Sequence, residues 1–363
     1  MNRLLCLTLL LVAATAAHAQ RMPTTTTSDA ARAHFARGVD AMANVEGAAS
    51  IAHFDAALDA DPAFAQAHLY RALASREGRD EHMRLAAEGR ASDGERQLIE
   101  GYAAHLDGDH DREIALLRGL AERFPDDPVV HLWLANTESS EVGDAAGAAA
   151  ARRGIAAAPG YAPLYNTLGY AEMAQGNDDA AEQAFRDYIR LAPDLPNPYD
   201  SYGEFLLGAG RLDEAEAQYE MAITKNPAFD PDRVGLVRVG VAKSNARFGQ
   251  AVAAGDADAI AALYTSNALI MPPDSPPIRG RDAIRDYFAG LLDAGVDGVD
   301  IETVELVRFD DTAVERAELT IRAGGEVVDR GKSLVVWGLM DGEWLFVRDM
   351  WSSNGAAETA GTR

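Results

Sequence analysis

Cysteine is almost absent from this chain: Cys6 is the only one among 363 residues. It sits inside an apolar stretch, Leu4 to Ala14, that follows the basic Arg3 and precedes the small-residue site Ala17, His18, Ala19. Those three parts have the order of a secretory signal peptide, so cleavage near Ala19 and a periplasmic or secreted location are expected. The cleaved chain would contain no thiol. That excludes disulfide staples, thiol nucleophiles and cysteine-ligated metals, and leaves stability to packing alone.

Positive charge is also scarce. The formal charge is −24, and of 33 lysines and arginines only Lys225, Lys243 and Lys332 are lysines. Loss of Arg3 makes the remainder one unit more negative. No basic cluster is present to neutralise phosphates, which excludes nucleic acid and disfavours an anionic membrane surface. Beyond the N-terminus nothing approaches the roughly 20 apolar residues of a membrane span. No histidine follows His131, so the last part of the chain has neither an imidazole base nor a histidine-ligated metal.

What is present is ample apolar content, 48%, enough for two or three domains. It is organised by a period. Pro125, Pro159, Pro193 and Pro227 are 34 residues apart, and Gly101, Ala135, Gly169 and Gly203 keep the same interval. Ala181 matches Ala215, Phe185 matches Tyr219, and Tyr165 matches Tyr199. A small residue lets two antiparallel helices approach closely, the aromatic fills the space between neighbouring pairs, and proline ends each second helix. Asp178 and Asp213 are expected as N-caps. Gly38, Phe54, Ala57 and Pro62 repeat the offsets near the N-terminus, and only 29 residues separate Pro62 from Ala91. Six units follow, near 31–62, 63–91 (shortened), 94–125, 128–159, 162–193 and 196–227.

These residues resemble the tetratricopeptide repeat, most clearly in Tyr165, Leu168, Gly169, Ala181, Phe185, Pro193 and their partners 34 residues on. The third and fourth units depart from it, with Gln97 and His131 where an aromatic belongs and an alanine run, Ala145 to Ala151, where large residues should pack. Loose packing is expected there. The resemblance implies a superhelix that receives a protein or peptide on the face formed by the first helix of each pair. Pure spacing of the C-terminal part is the alternative.

Beyond Pro231 the period is lost. Helices are expected at 234–254, 256–264 (capped by Asp256) and 281–292, then four strands at 299–309, 312–323, 326–340 and 343–352, with turns at Asp310, Gly324–Gly325 and Asp341–Gly342. Helices followed by an antiparallel meander make an α+β domain. The expected layout is a signal peptide 1–19, a disordered segment 20–30, repeats 31–230, a connecting helix 231–241, the α+β domain 242–354 and a disordered tail 355–363. Three segments carry a second resemblance: Leu263 to Ala283, with Tyr264, Pro272, Pro273 and Ile278 to Arg281; Gly331 to Trp337; and Trp344 to Trp351. They resemble the SnoaL-like group of the nuclear transport factor 2-like superfamily. That likeness implies a cone with a curved antiparallel sheet around an apolar pocket, often dimeric through the sheet, in either binding modules or isomerases and cyclases.

Chemistry in that domain would rest on carboxylates or tyrosine. Asp349 is the candidate general base, because a carboxylate inside an apolar cone has a raised pKa. The competing reading pairs it with Arg348, Arg330 or Lys332 at the sheet edge. Tyr264, expected at a helix end, is a candidate hydrogen-bond donor to a carbonyl. Trp337, Trp351, Tyr287 and Met271 are candidate pocket walls, with Asp274 in a loop at the mouth. In the helical part, Asp107, Asp109, Asp111, His105 and His110 read as a helix-capping turn rather than a cation site, lacking the glycine and distal glutamate of an EF-hand loop. No cofactor and no metal are expected. The function implied is an exported interaction scaffold whose last domain binds a small apolar ligand or dimerises, with a carboxylate-dependent isomerase or cyclase as the alternative.

Overall fold

The computed structural model describes residues 21–227, 229 and 231–354. The expected signal peptide and C-terminal tail lie outside them. The chain divides into two compact units, residues 1–193 and 194–363.

The first unit is a run of helix pairs: α1 (Asp29–Ala43) with α2 (Gly47–Ala60), α3 (Ala65–Ala74) with α4 (Arg79–Glu88), α5 (Asp93–Leu106) with α6 (His110–Arg123), α7 (Pro128–Glu141) with α8 (Asp144–Ala157), and α9 (Pro163–Ala174) with α10 (Asp178–Leu191). These are the expected units, and the prolines of the series each follow a second helix by two residues. The small residues act unequally. A Cβ placed on Gly38 would lie 2.5 Å from the Phe54 ring and one on Gly169 2.7 Å from Phe185, whereas one on Gly101 would meet only Leu116, at 3.9 Å. Close approach therefore demands glycine at the first two positions and not at the third. Ala181, Phe185 and the Tyr188 ring are fully buried beside them.

The alanine-rich fourth pair is not loose. A Cβ on Gly147 would come within 2.8 Å of the Ala135 carbonyl oxygen, so small residues bring α7 and α8 backbone to backbone. His131 also has a definite role: its Nε2 donates to the Pro125 carbonyl at 2.8 Å, as the Tyr165 hydroxyl does to Pro159 at 2.9 Å and His68 Nε2 to Pro62 at 3.0 Å. A polar ring with a donor six residues after the proline satisfies that carbonyl, and imidazole serves as well as phenol. Gln97 donates to the Leu116 carbonyl at 2.8 Å.

Residues 22–28, within the segment expected to be disordered, are docked on this unit. Met22 N–H donates to Asp127 Oδ2 at 3.0 Å, Thr25 N–H to Glu95 at 2.8 Å, and the Thr26 hydroxyl to Asp61 Oδ2 at 2.7 Å. Glu95, fully buried, also closes the capping box of α5 with Ser92. Buried carboxylates that need donors explain why this strap is ordered.

The second unit begins with α11 (Asn197–Gly208) and α12 (Leu212–Lys225), the sixth helix pair, where a Cβ on Gly203 would lie 3.1 Å from the Tyr219 ring and Ala215 is fully buried. The second compact unit thus includes the last helix pair as well as the sheet. Helix α13 (Pro231–Ala254) starts 34 residues after α11 and runs unbroken, so no separate connecting helix exists among the described residues. Its Gly235 would place a Cβ 2.3 Å from the Tyr219 ring, and Lys243 pairs with Asp213 at 2.6 Å. The first half of α13 therefore packs like another first helix, and its second half enters the sheet domain. Asp178 and Asp213 lie inside first turns and do not cap; Asn177 and Arg211 occupy the cap positions.

The sheet has the order β2-β1-β6-β5-β4-β3. Its strands are β1 (Tyr264–Met271), β2 (Ile278–Arg279), β3 (Val296–Phe309), β4 (Thr312–Ala323), β5 (Glu326–Met340) and β6 (Glu343–Ser353), with α14 (Ala257–Ala262) and α15 (Arg281–Asp293) joining α13 on one face. The four expected strands are present. The sheet is mixed rather than antiparallel, because β1 pairs parallel with β6, and it is not closed. Asp256 caps α14 as expected, accepting from Ala259 N–H at 2.9 Å, but that helix ends at Ala262, so Tyr264 opens a strand instead of ending a helix.

Candidate functional site

The inner face of the sheet and helices α13 and α15 enclose a cavity of about 250 Å³, walled mainly by Phe248, Val252, Phe288, Leu292, Val299 and Phe346. Strand alternation alone would not build it. A bulge between Val336 and Trp337 on β5 shifts their partners from Arg348 to Phe346 and leaves Val347 as the extra residue. Trp344 and Phe346 thus point inward ahead of the bulge, and Asp349 and Trp351 point inward after it.

Three residues share one lateral row: Asp349 pairs with Val335, and Val335 pairs with Glu315. Two carboxylates on one face, about 10 Å apart by strand spacing, enter an apolar chamber. Asp349 is 7% exposed and accepts from the Tyr264 hydroxyl at 2.7 Å. Burial pushes its pKa up to about 6, the Glu315 charge pushes the same way, and only the Tyr264 hydrogen bond opposes them. Tyr264 is itself fully buried, its pKa held well above the phenol range by burial and by the neighbouring carboxylate. Its ring stacks on Phe346 at 4.7 Å between centroids, and Arg281 donates to its carbonyl at 2.6 Å. The aspartate is not in an ion pair at the sheet edge: Arg348 turns to the other face and donates to the Val347 carbonyl.

Glu315 was not singled out by the sequence. It has no exposure, and it accepts from Asn245 Nδ2 at 2.9 Å, from Trp337 Nε1 at 3.0 Å and from the Thr303 hydroxyl. Burial raises its pKa, with these donors acting against the rise. The Asn245 carbonyl oxygen, buried at the cavity wall, has no hydrogen-bond partner. The only sequence signal for Glu315 was a charge at an inward position of an alternating strand.

Of the expected walls, Tyr287 and Trp351 line the cavity, with ring centroids 6.1 Å apart. Trp337 is fully buried behind Phe346 and serves as a donor to Glu315 instead. Met271 lies at the end of β1 away from the cavity. Asp274 is an exposed turn residue with φ 53°, and it is Pro273 that reaches the wall.

Residues 246–347 match the family model of the SnoaL-like domain. The C-terminal sheet domain is SnoaL-like. The helix pairs before it are tetratricopeptide-like, as their spacing and packing require. Among solved structures, the SnoaL-like domain is similar to a ketosteroid isomerase-like protein from Erwinia carotovora atroseptica, at 21% identity over 32% of this chain and 95% of that one, TM-score 0.29. It is also similar to an NTF2-like protein with a cystatin-like fold from Novosphingobium aromaticivorans, at 20% identity over 35% and 90%, TM-score 0.30. The helical part is similar to a thermophilic TPR protein of Thermus thermophilus, at 21% identity over 59% and 99%, TM-score 0.38. No curated protein matches the chain.

A second, larger cavity, about 660 Å³, lies within the helical unit among first helices of the pairs, between Val39, Met42, Tyr70, Trp133 and Tyr170. Four polar atoms at its walls, Tyr70 Oη, Tyr161 Oη, Asn166 Oδ1 and Ser139 Oγ, are buried without a hydrogen-bond partner. Among the described residues no helix is long and apolar enough to cross a membrane.

Proposed function

We infer that this is an exported interaction protein whose helix pairs hold a polypeptide and whose SnoaL-like domain holds a small, mainly apolar molecule with one polar end. The observation that carries the ligand reading is the pairing of an apolar chamber with a few convergent polar groups: Asp349 with Tyr264 on one side, Glu315 with the unpartnered Asn245 oxygen on the other. Apolar walls supply affinity and the polar groups fix orientation. A ligand that donates to Asn245 Oδ1 would satisfy an acceptor the fold leaves bare. Export rests on the N-terminal sequence alone. Trp351 in the wall makes the test direct. Titration with hydrophobic compounds that carry a hydroxyl or amide donor beside a carbonyl should change tryptophan emission saturably, and Trp351→Phe should abolish that change. A flat response across such compounds would sink the ligand reading.

The polypeptide reading is supported by the unpartnered Tyr161, Asn166 and Ser139 atoms around one cavity, because an extended chain offers backbone donors and acceptors at short intervals. A partner captured by the full chain should be lost on Asn166→Leu, and unchanged capture would remove this cavity from the account.

One observation favours a catalytic second reading. A buried carboxylate with pKa near 6 beside a phenol donor is poised to remove a proton next to a carbonyl near neutral pH. Wash-out of deuterium from that carbon in a bound ketone, lost in Asp349→Asn, would establish it; binding without wash-out would leave the domain a binding module.

A further inference from the structure

The turn between α5 and α6 brings together three ligating groups that no part of the proposed function uses. His105 is in the last turn of α5, and His110 and Glu113 lie on one side of the first turn of α6, so closing the helix pair sets both rings over one carboxylate. His105 Nδ1 is 3.0 Å and His110 Nδ1 3.3 Å from the same oxygen, Glu113 Oε2. The three ligating atoms lie within 4.8 Å of one another. Glu141, in the last turn of α7, brings its Oε2 to 3.9 Å from His110 Nδ1.

The surroundings fix these groups. Glu113 is 5% exposed, and its other oxygen accepts from the Thr137 hydroxyl at 3.0 Å. The Tyr102 ring stacks on His105 with 13° between planes. Of the aspartates nearby, Asp109 caps α6, as the sequence suggested, and takes no part. We propose that His105, His110 and Glu113 form a zinc-class divalent metal site, with Glu141 completing four-coordination, that clips α5, α6 and α7 together.

Spacing and ligand chemistry both select that class. A tetrahedral ion with bonds of about 2.0–2.2 Å separates its ligand atoms by about 3.3–3.6 Å, and the two imidazole–carboxylate separations present, 3.0 and 3.3 Å, need open only slightly to admit it. Two imidazoles with carboxylates suit zinc and its first-row neighbours, whereas calcium and magnesium take all-oxygen shells. The other histidine pairs, His34 with His53 and His68 with His82, have facing Nδ1 atoms at 3.4 and 3.0 Å. No buried carboxylate joins either pair among the described groups that could hold an ion. Thr137 is a positioning residue, holding the carboxylate that the metal would share.

The untagged full chain, freed of metal and dialysed against Zn2+, should retain one equivalent. His105→Ala and His110→Ala should each lose it while keeping the helical circular dichroism spectrum, and His68→Ala should keep it. Thr137→Val should weaken binding by about 10–100-fold, with Thr137→Ser restoring it. Uptake by the wild type no greater than by His105→Ala would overturn the proposal, as would displacement of the bound Zn2+ by excess Ca2+.

Discussion

Asp349→Asn should change how the stability of the SnoaL-like domain depends on pH. The carboxyl is buried with a pKa near 6, against an ordinary value of 3.8. Below pH 3.8 both folded and unfolded chains hold the proton, and the residue carries no penalty. Between 3.8 and 6 the unfolded chain releases its proton while the folded one keeps it, so stability falls as pH rises. Above 6 the whole difference applies, and roughly two pKa units correspond to about 3 kcal/mol. Asparagine keeps an acceptor for the Tyr264 hydroxyl and has no charge to bury. Urea unfolding followed by tryptophan fluorescence, at intervals from about pH 4 to 8, should give a variant that gains on the wild type by up to about 3 kcal/mol toward neutrality. A flat difference would refute the buried, raised carboxyl. A wild type that gains stability over the variant with rising pH would instead indicate an aspartate held ionised by a cation.

Gly169→Ala forces a methyl to within 2.7 Å of the Phe185 ring and should cost about 1–3 kcal/mol, whereas Gly101→Ala meets nothing nearer than 3.9 Å and should gain up to about 1 kcal/mol from helix propensity; thermal unfolding of the two variants should move in opposite directions. Thr26→Val removes a donor from the buried Asp61 carboxylate and should destabilise the helical unit by about 1.5–3 kcal/mol in urea unfolding. Leu334 and Met350, paired in register and 44% and 43% exposed on the outer sheet face, are proposed to meet a second copy of the chain. Light scattering should then find a dimer for the wild type and a monomer for Leu334→Asp, and a wild-type monomer would remove that interface.

Much of the helical part was legible because its cause is periodic. Prolines and small residues at a fixed interval state where helices stop and where they touch, whatever lies between them. The period does not say which small residues are needed, so Gly101 and Gly169 read alike although only one is pressed by a ring. Nor did it show that an alanine run packs tightly: small side chains in a row can mean a gap or a close approach, and the partner helix decides. The long strands and hairpins were equally plain from alternation and turn chemistry, with Asp341 and Gly342 both at positive φ. Strand β1 was hidden because its neighbour lies some 80 residues away on β6, and parallel pairing leaves no local turn signal.

The site divides along the same line. Asp349 could be picked out as an inward carboxylate, Tyr264 as a hydrogen-bond donor, and Trp351 and Tyr287 as walls. Their meeting could not be foreseen, since it depends on a helix ending at Ala262 rather than Tyr264 and on one extra residue in β6. Glu315 looked like any strand charge until three donors surrounded it. The capping turn gives a sound local reason to read no cation site between α5 and α6, yet Glu113 joins the two histidines only when α5 folds back on α6. The repeat, the four long strands, the single cysteine near the N-terminus and the lack of histidine after His131 are legible from spacing and composition along the chain. Which polar groups are buried together depends on a bulge, a parallel strand pair and a helix crossing, and these are distances in space that no local spacing contains.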